Sequence, residues 1–309
     1  MASSGVGQTG WAVRNPVSYG GQALIEGVMM RGPGRVAMAI RRPDGQIAVH
    51  VEEYRPAQNR WPWLRLLVVR GVVALVESLV LGINALMYSA NQTLDDDEKL
   101  SGGEMTATVV IALAIGLFVF AVFPTWVVGL LRPHLGSAVA ANVVEGIIRT
   151  ALLLGYLAGI SITPDVRRVL EYHGAEHKSI HTYEDGAALT VAEARLRSRR
   201  HPRCGTSFLL VVAIVGIIIF AFFGWPVLWE RILLRLLLLP VVAGVAYEFI
   251  RLAGQSHSSL VKWASWPGLA LQGLTTREPD DQELEVGLAA LAALLEDEAA
   301  LEWNGAEVI

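Results

Sequence analysis

Three histidines recur at a fixed spacing in the stretch Glu171–Glu184, EYHGAEHKSIHTYE. His173, His177 and His181 are four apart, so on a helix they share one face. Glu176 directly precedes His177, which gives the order His-x-x-Glu-His. Two imidazoles one turn apart can reach a single divalent ion, zinc first, and a glutamate beside them can take a proton from water. That chemistry is metal-assisted hydrolysis, with His173 and His177 as ligands and Glu176 as general base. The competing reading is a polar helix face, because a pattern with three fixed residues also arises by chance. His181 reads first as a surface residue, then as a third ligand or a supporting partner.

Further ligands must come from elsewhere in the chain. His201 and Cys204, in HPRC, form a second two-ligand arrangement with a soft sulfur. Its bland reading is a membrane-entry loop with a buried thiol. The His-x-x-Glu-His order resembles that of the inverted zinc peptidases, in which another glutamate arrives from a later helix. The residue so implied is Glu248, in AYEFI. An acid there is costly unless it is paired or metal-bound, and Arg251 or Arg149 could pair it instead. Glu26 and Arg31, the charged members of GGQALIEGVMMRGPGR, are taken as lining the same site.

Such a site needs elements to hold it. Hydrophobic residues make up 53% of the 309-residue chain and charged ones only 17%. Long apolar runs make it a mainly α protein, a polytopic membrane helix bundle. Four spans are expected: Thr106–Leu131, Ala138–Ile162, Thr206–Trp229 and Ile232–Leu252. They form a membrane domain over residues 106–252, with a loop at 163–205 whose Thr163-Pro164-Asp165 starts the histidine-bearing helix. Glu145 and Arg149, four apart in the second span, can pair and so lower the cost of burial.

The flanking regions are read as follows. Residues 1–19 are small, polar and Gly-rich, hence disordered, with no apolar core for a cleavable signal. Residues 20–60 form a small β-containing region, in which Val36–Ile40 and Gln46–Tyr54 alternate around Asp44-Gly45 as a hairpin. Residues 61–91 carry Arg70, Glu77 and Asn84 seven apart, a polar stripe that favours an amphipathic surface or partly inserted helix over a span. Residues 253–278, with Trp263 and Trp266, read as an interfacial segment. Residues 279–309 read as an acidic amphipathic helix, either docked on the basic loop or solvated.

Charge orients the chain. Arg167–Arg203 carries eight Lys/Arg, and seven more precede Trp61, whereas the tail after Arg277 has ten acidic residues and no basic one. By the positive-inside rule the central loop, the N-terminal region and both termini are cytoplasmic. The single cysteine excludes an internal disulfide and fits a reducing face.

Five stretches carry a family resemblance: GGQALIEGVMMRGP at Gly20–Pro33, EYHGAEHKSIHTYE at Glu171–Glu184, HPRCGTSF at His201–Phe208, Tyr247-Glu248, and LTTREP at Leu274–Pro279. From Gly20 to Pro279 the chain resembles the bacterial YqhQ-like family of predicted metal-dependent membrane enzymes. The resemblance implies an inner-membrane location and gives weight to these motifs; it implies no substrate.

The expected function is a membrane-bound metal-dependent hydrolase, peptidase-like in its motif, with a cytoplasmic-face site. The alternative is a non-enzymatic scaffold, assembly or transport subunit in which the same residues are structural. A transporter would need Glu145, Arg149 and Glu248 to face one cavity. The expected partners are the lipid bilayer and a membrane protein or second copy, not nucleic acid.

Overall fold

A computed structural model of the chain describes residues 19–94, 101–255 and 258–303. The expected disorder before Tyr19, the acidic stretch Asp95–Glu98 and the end of the acidic tail lie outside the described residues.

The N-terminal region is an antiparallel meander of four strands: β1 (Gly20–Leu24), β2 (Gly27–Arg31), β3 (Arg35–Arg41) and β4 (Ile47–Glu53), in the order β1-β2-β3-β4. The expected hairpin is β3–β4. Asp44 accepts the Gln46 N–H at 2.9 Å, and Gly45 takes the left-handed conformation (φ 82°) that the turn requires. The β1–β2 hairpin was not expected from the sequence. The reason is burial: Gly27–Met30 is buried on both faces, so no alternation marks the strand.

The sheet is the middle layer of a sandwich. On one face Val28, Met30, Ala37 and Ala39 pack against Tyr172 and Ile180 of helix α6 (Pro164–Glu184) and against Val286, Leu291 and Leu294 of α11 (Asp281–Trp303). On the other, Leu24, Met29, Met38 and Ile40 pack against Leu81, Ala85 and Tyr88 of α2 (Val69–Thr93). Each large side chain so buried contributes about 1.5–3 kcal/mol. The apolar stripe of α11 is therefore core, docked on α6 and on Ala194 of the central loop, and its first turn adds the ion pair of Asp281 with Arg195.

The remaining helices are α1 (Ala57–Arg60), α3 (Gly102–Leu117), α4 (Phe123–Leu131), α5 (Ala138–Ile160), α7 (Val191–Arg195), α8 (Thr206–Ala221), α9 (Leu228–Gln255) and α10 (Ser259–Thr275). A π turn at Phe118–Val122 joins α3 to α4 beside Pro124, which lacks the N–H a regular helix would use.

Four helices are long and apolar enough to cross a bilayer: Val69–Thr93, Gly102–His134, Ala138–Ile160 and Leu228–Leu252. The protein is thus a helical membrane protein with a small antiparallel sheet. The set differs from the expected one in two members. The run expected to span from Thr206 to Trp229 forms only the 16-residue α8, because Gly224 (φ 64°) and Pro226 stop the helix. At about 1.5 Å per residue it falls short of a hydrocarbon core of roughly 30 Å. Val69–Thr93, expected as an amphipathic surface or partly inserted helix, has the length and hydropathy of a span, while its Leu81, Ala85 and Tyr88 lie against the sheet. Two members of its polar stripe are met within the protein: Arg70 by Glu248, and Glu77 by the Tyr54 hydroxyl (2.8 Å) and the Ala57 N–H (2.6 Å).

Between the spans, Glu145 makes the expected pair with Arg149 (2.8 Å) and a second with Arg235, whose Nε and terminal nitrogen reach its two oxygens at 2.9 and 2.8 Å.

Candidate metal centre

Helix α6 carries the histidine stretch and is pressed against the chain between α10 and α11. A Cβ on Gly174 would lie 2.0 Å from the Arg277 carbonyl oxygen, so only glycine permits this approach. The approach places the Thr275 carbonyl oxygen 2.6 Å from Nδ1 of His173. One turn later Nδ1 of His177 meets the Arg199 carbonyl oxygen, also at 2.6 Å. A carbonyl can only accept, so both rings carry their proton on Nδ1 and keep the lone pair on Nε2.

Those lone pairs converge. Nε2 of His173 is 3.3 Å from Sγ of Cys204, and the ligand atoms of His173, His177 and Cys204 all lie within 4.8 Å of one another. The Glu176 carboxylate sits beside them, 3.7 Å from Nε2 of His173 and 3.9 Å from Nε2 of His177. It accepts the N–H of Gly21 on β1. A Cβ at Gly21 would meet Cγ of Glu176 at 2.8 Å, so this glycine gives the carboxylate its room. All four side chains line a cavity of about 470 Å³ that also takes in β1, His201 and Ser78 of α2.

Burial sets the protonation of the group. It pushes the Glu176 carboxyl up to about 8, against the Gly21 hydrogen bond. It pushes His177 down to about 3, with neighbouring His173 adding to the effect, and lowers His173 as well. It pushes the Cys204 thiol up to about 11. Two neutral imidazoles locked by carbonyl oxygens on Nδ1 are the form in which histidine binds zinc, and a thiol gives up its proton to the ion. The donor set of two nitrogens and one sulfur therefore fits zinc and leaves a fourth position open.

The other expected site residues separate. His201 lines the cavity and belongs to a second group with His181 and Glu184. Its Nδ1 accepts the Arg203 N–H at 3.3 Å and its Nε2 faces Glu184 at 3.3 Å, while Arg203 also binds Glu184. Both of its ring nitrogens are thus engaged. His181, expected on the surface, is half-buried, with Nε2 donating to the Arg200 carbonyl at 3.0 Å.

Three expectations are corrected. Glu248 does not join the histidines: Nε of Arg70 meets one of its oxygens at 2.6 Å, a terminal nitrogen meets the other at 2.5 Å, and the Val68 N–H adds a third bond. The acid is satisfied at the start of α2. Glu26, in the left-handed conformation (φ 52°), is held by Arg168 and by the Tyr172 hydroxyl at 3.1 Å, not in the cavity lining. Arg31 lies over the Tyr54 ring and donates to its hydroxyl at 2.7 Å and to Ser78 at 3.2 Å, again outside the lining.

Four positioning groups were not found from the sequence: Gly21, Gln272 and the carbonyls of Thr275 and Arg199. Gln272 clamps His201 by accepting its N–H and donating to its carbonyl, both at 2.8 Å. The resemblance stretches GGQALIEGVMMRGP, which contains Gly21, and LTTREP, which contains Thr275, were the available signals.

A family described as "Protein of unknown function (DUF1385)" matches residues 66–297. The chain is 35% identical over 308 residues to "Uncharacterized protein YqhQ" of Bacillus subtilis (strain 168), covering 94% of this chain and 96% of that one. No solved structure matches. With nearly the whole of both chains aligned, the protein belongs to the DUF1385 family, the YqhQ-like group that its motifs resemble.

Proposed function

We propose that the protein is a membrane-bound, zinc-dependent hydrolase whose site faces the cytoplasm. His173 and His177 hold the ion, and Cys204 takes the third place for which the sequence offered Glu248 or His201. One observation carries the reading: two buried imidazoles are oriented by carbonyl oxygens on Nδ1, so that both Nε2 lone pairs meet a thiol and a carboxylate at the wall of a cavity. Zinc bound there would polarise a substrate carbonyl and acidify water. Glu176 lies within reach to take the water's proton and return it to the leaving group. The Gly21 N–H fixes the carboxylate, and the Thr275 and Arg199 carbonyls fix the rings. The cytoplasmic placement rests on the basic residues of the loop that carries the site.

Metal content decides the first half of this reading. Protein purified in detergent is expected to hold stoichiometric zinc by mass spectrometry, and the His173→Ala/His177→Ala variant is expected to lose it. Absence of metal from the wild type, after refolding checks and zinc supplementation, rejects the assignment.

A further inference from the structure

The cavity has a second wall whose chemistry points to the substrate. Strand β1 is the edge of the sheet, paired only with β2 among the described strands. Its consecutive residues Gly20, Gly21, Gln22 and Ala23 line the same cavity as His173, Glu176, His177 and Cys204. Gly20 and Gly21 are exposed, although the rest of the hairpin is largely covered.

The direction of the free backbone groups follows from the register. The Gly21 N–H is bonded to Glu176, so it does not belong to the β1–β2 ladder. In an antiparallel pair the residues alternate, so Gly21 and Ala23 both turn their N–H and C=O away from β2. The Gly21 carbonyl and the N–H and carbonyl of Ala23 therefore face away from β2, on the side where Glu176 and the cavity lie. A strand edge of this kind pairs with another extended chain, and most proteins cover or charge such edges. Here the exposed end carries two glycines, with no side chain to obstruct an approaching backbone. A Cβ at Gly20 would meet nothing within 4 Å.

We propose that the substrate is an extended polypeptide that adds to β1 as a further strand and so carries one of its peptide bonds to the His173–His177–Cys204–Glu176 cluster. This rests on the hydrolase reading above and names its substrate class. The reaction is hydrolysis: a water oxygen bonds to the carbonyl carbon, the C–N bond breaks, and the products are a carboxylate and an amine. Glu176 accepts a water proton and delivers it to the departing nitrogen, so no oxidant or further reactant is needed. Pairing with β1 holds the peptide extended, which exposes both faces of the scissile carbonyl.

The test uses the full-length, zinc-loaded protein in detergent. Its probes are a mixture of unstructured fluorescence-quenched octapeptides and, in a separate arm, phosphatidylethanolamine/phosphatidylglycerol vesicles. Peptide cleavage is expected. Methylating single backbone amides of the best peptide is expected to raise KM about tenfold at every second position and little between them, the signature of strand pairing. Ala23→Pro removes an outward N–H without breaking the β1–β2 ladder, a position where edge strands tolerate proline. It is expected to raise KM about tenfold with zinc content and thermal midpoint unchanged. Cleavage of lipid esters without peptides, or peptide cleavage indifferent to amide methylation, overturns the proposal and leaves the hydrolase standing. A protein that binds no zinc overturns both.

Discussion

Two of the three glutamates buried among the described residues live in opposite surroundings. Glu145 is 1% exposed and Glu176 is 4% exposed. Glu145, between the spans, is met on one oxygen by Thr125, Arg149 and Arg235 and on the other by Arg235 again. Arg235 is itself tied to Asn142 at 2.7 Å. Glu176, in the cap, receives one backbone hydrogen bond and lies beside the rings of His173 and His177 and the wall of a cavity. A carboxylate matched by guanidinium groups has spent its bonding capacity on holding helices together. One kept among neutral lone-pair donors, at a void, retains capacity for an ion or a substrate. Burial alone does not distinguish structure from function; the identity of the neighbours does.

The comparison breaks first at Glu145. Glu145→Ala leaves the Arg235 guanidinium, 4% exposed, buried beside Arg149 without its counter-charge. Removing one partner of a buried ion pair costs about 3–5 kcal/mol, so the variant is expected to fall sharply in thermal midpoint or to fail to assemble. Thermal unfolding in detergent, followed by circular dichroism, measures it. A change below about 1 kcal/mol would mean that water reaches the cluster and that it is no lock.

A third buried acid, Glu283, gives a graded case. It exchanges hydrogen bonds with Asp280 at the start of α11, 2.9 Å each way. Arg168 faces it at 3.9 Å, while the charges of Asp280 and Glu171 oppose its ionisation. Burial, the largest cause, pushes its carboxyl from 4.5 up to about 7. Between those values the folded chain keeps a proton that the unfolded chain has released. This contribution to stability is therefore complete below pH 4.5 and is lost as the pH rises through 7. The slope is at most ~1.4 kcal/mol per pH unit. Denaturation midpoints measured across this range are expected to fall with pH in the wild type and to be flatter in Glu283→Gln. Parallel curves would assign the wild-type slope to other groups.

How much of this was legible in the sequence depended on how local the signal was. The histidine helix was readable because Thr163-Pro164 starts it and the i, i+4 spacing of His173 and His177 lies within one element. The β3–β4 hairpin was readable because Asp44-Gly45 encodes its own turn. The β1–β2 hairpin was not, since a strand covered on both faces shows no alternation. Glu248 was misjudged because its partner Arg70 is 178 residues away in the chain, and a lone acid near a span end looks the same whether a metal or an arginine awaits it. Cys204 was noticed but given a lesser part than His201; only the fold shows that both nitrogens of His201 are engaged while the thiol faces His173. The Thr275 and Arg199 carbonyls could not be read at all, because every residue has a carbonyl and only packing selects which one orients a ring.

The smallest expected effect on stability is the most informative about function. Glu176→Gln keeps the shape of the side chain and an oxygen to accept the Gly21 N–H. The carboxyl has the His173 and His177 rings, not an arginine or lysine, as its paired neighbours, so no guanidinium or ammonium is orphaned. The stability change is therefore expected to stay within about 0.5 kcal/mol, the range of substitutions that break no cavity, charge or network. Zinc content is expected to match the wild type, because the ligands are His173, His177 and Cys204. Hydrolysis is expected to fall by about 10²–10⁴-fold in kcat, since an amide cannot accept the water's proton. Measuring unfolding, zinc and turnover on this one variant tests the contrast with Glu145 directly. A Glu176→Gln protein that unfolds as readily as Glu145→Ala would make both acids structural, and the centre would then be a polar brace between α6 and β1.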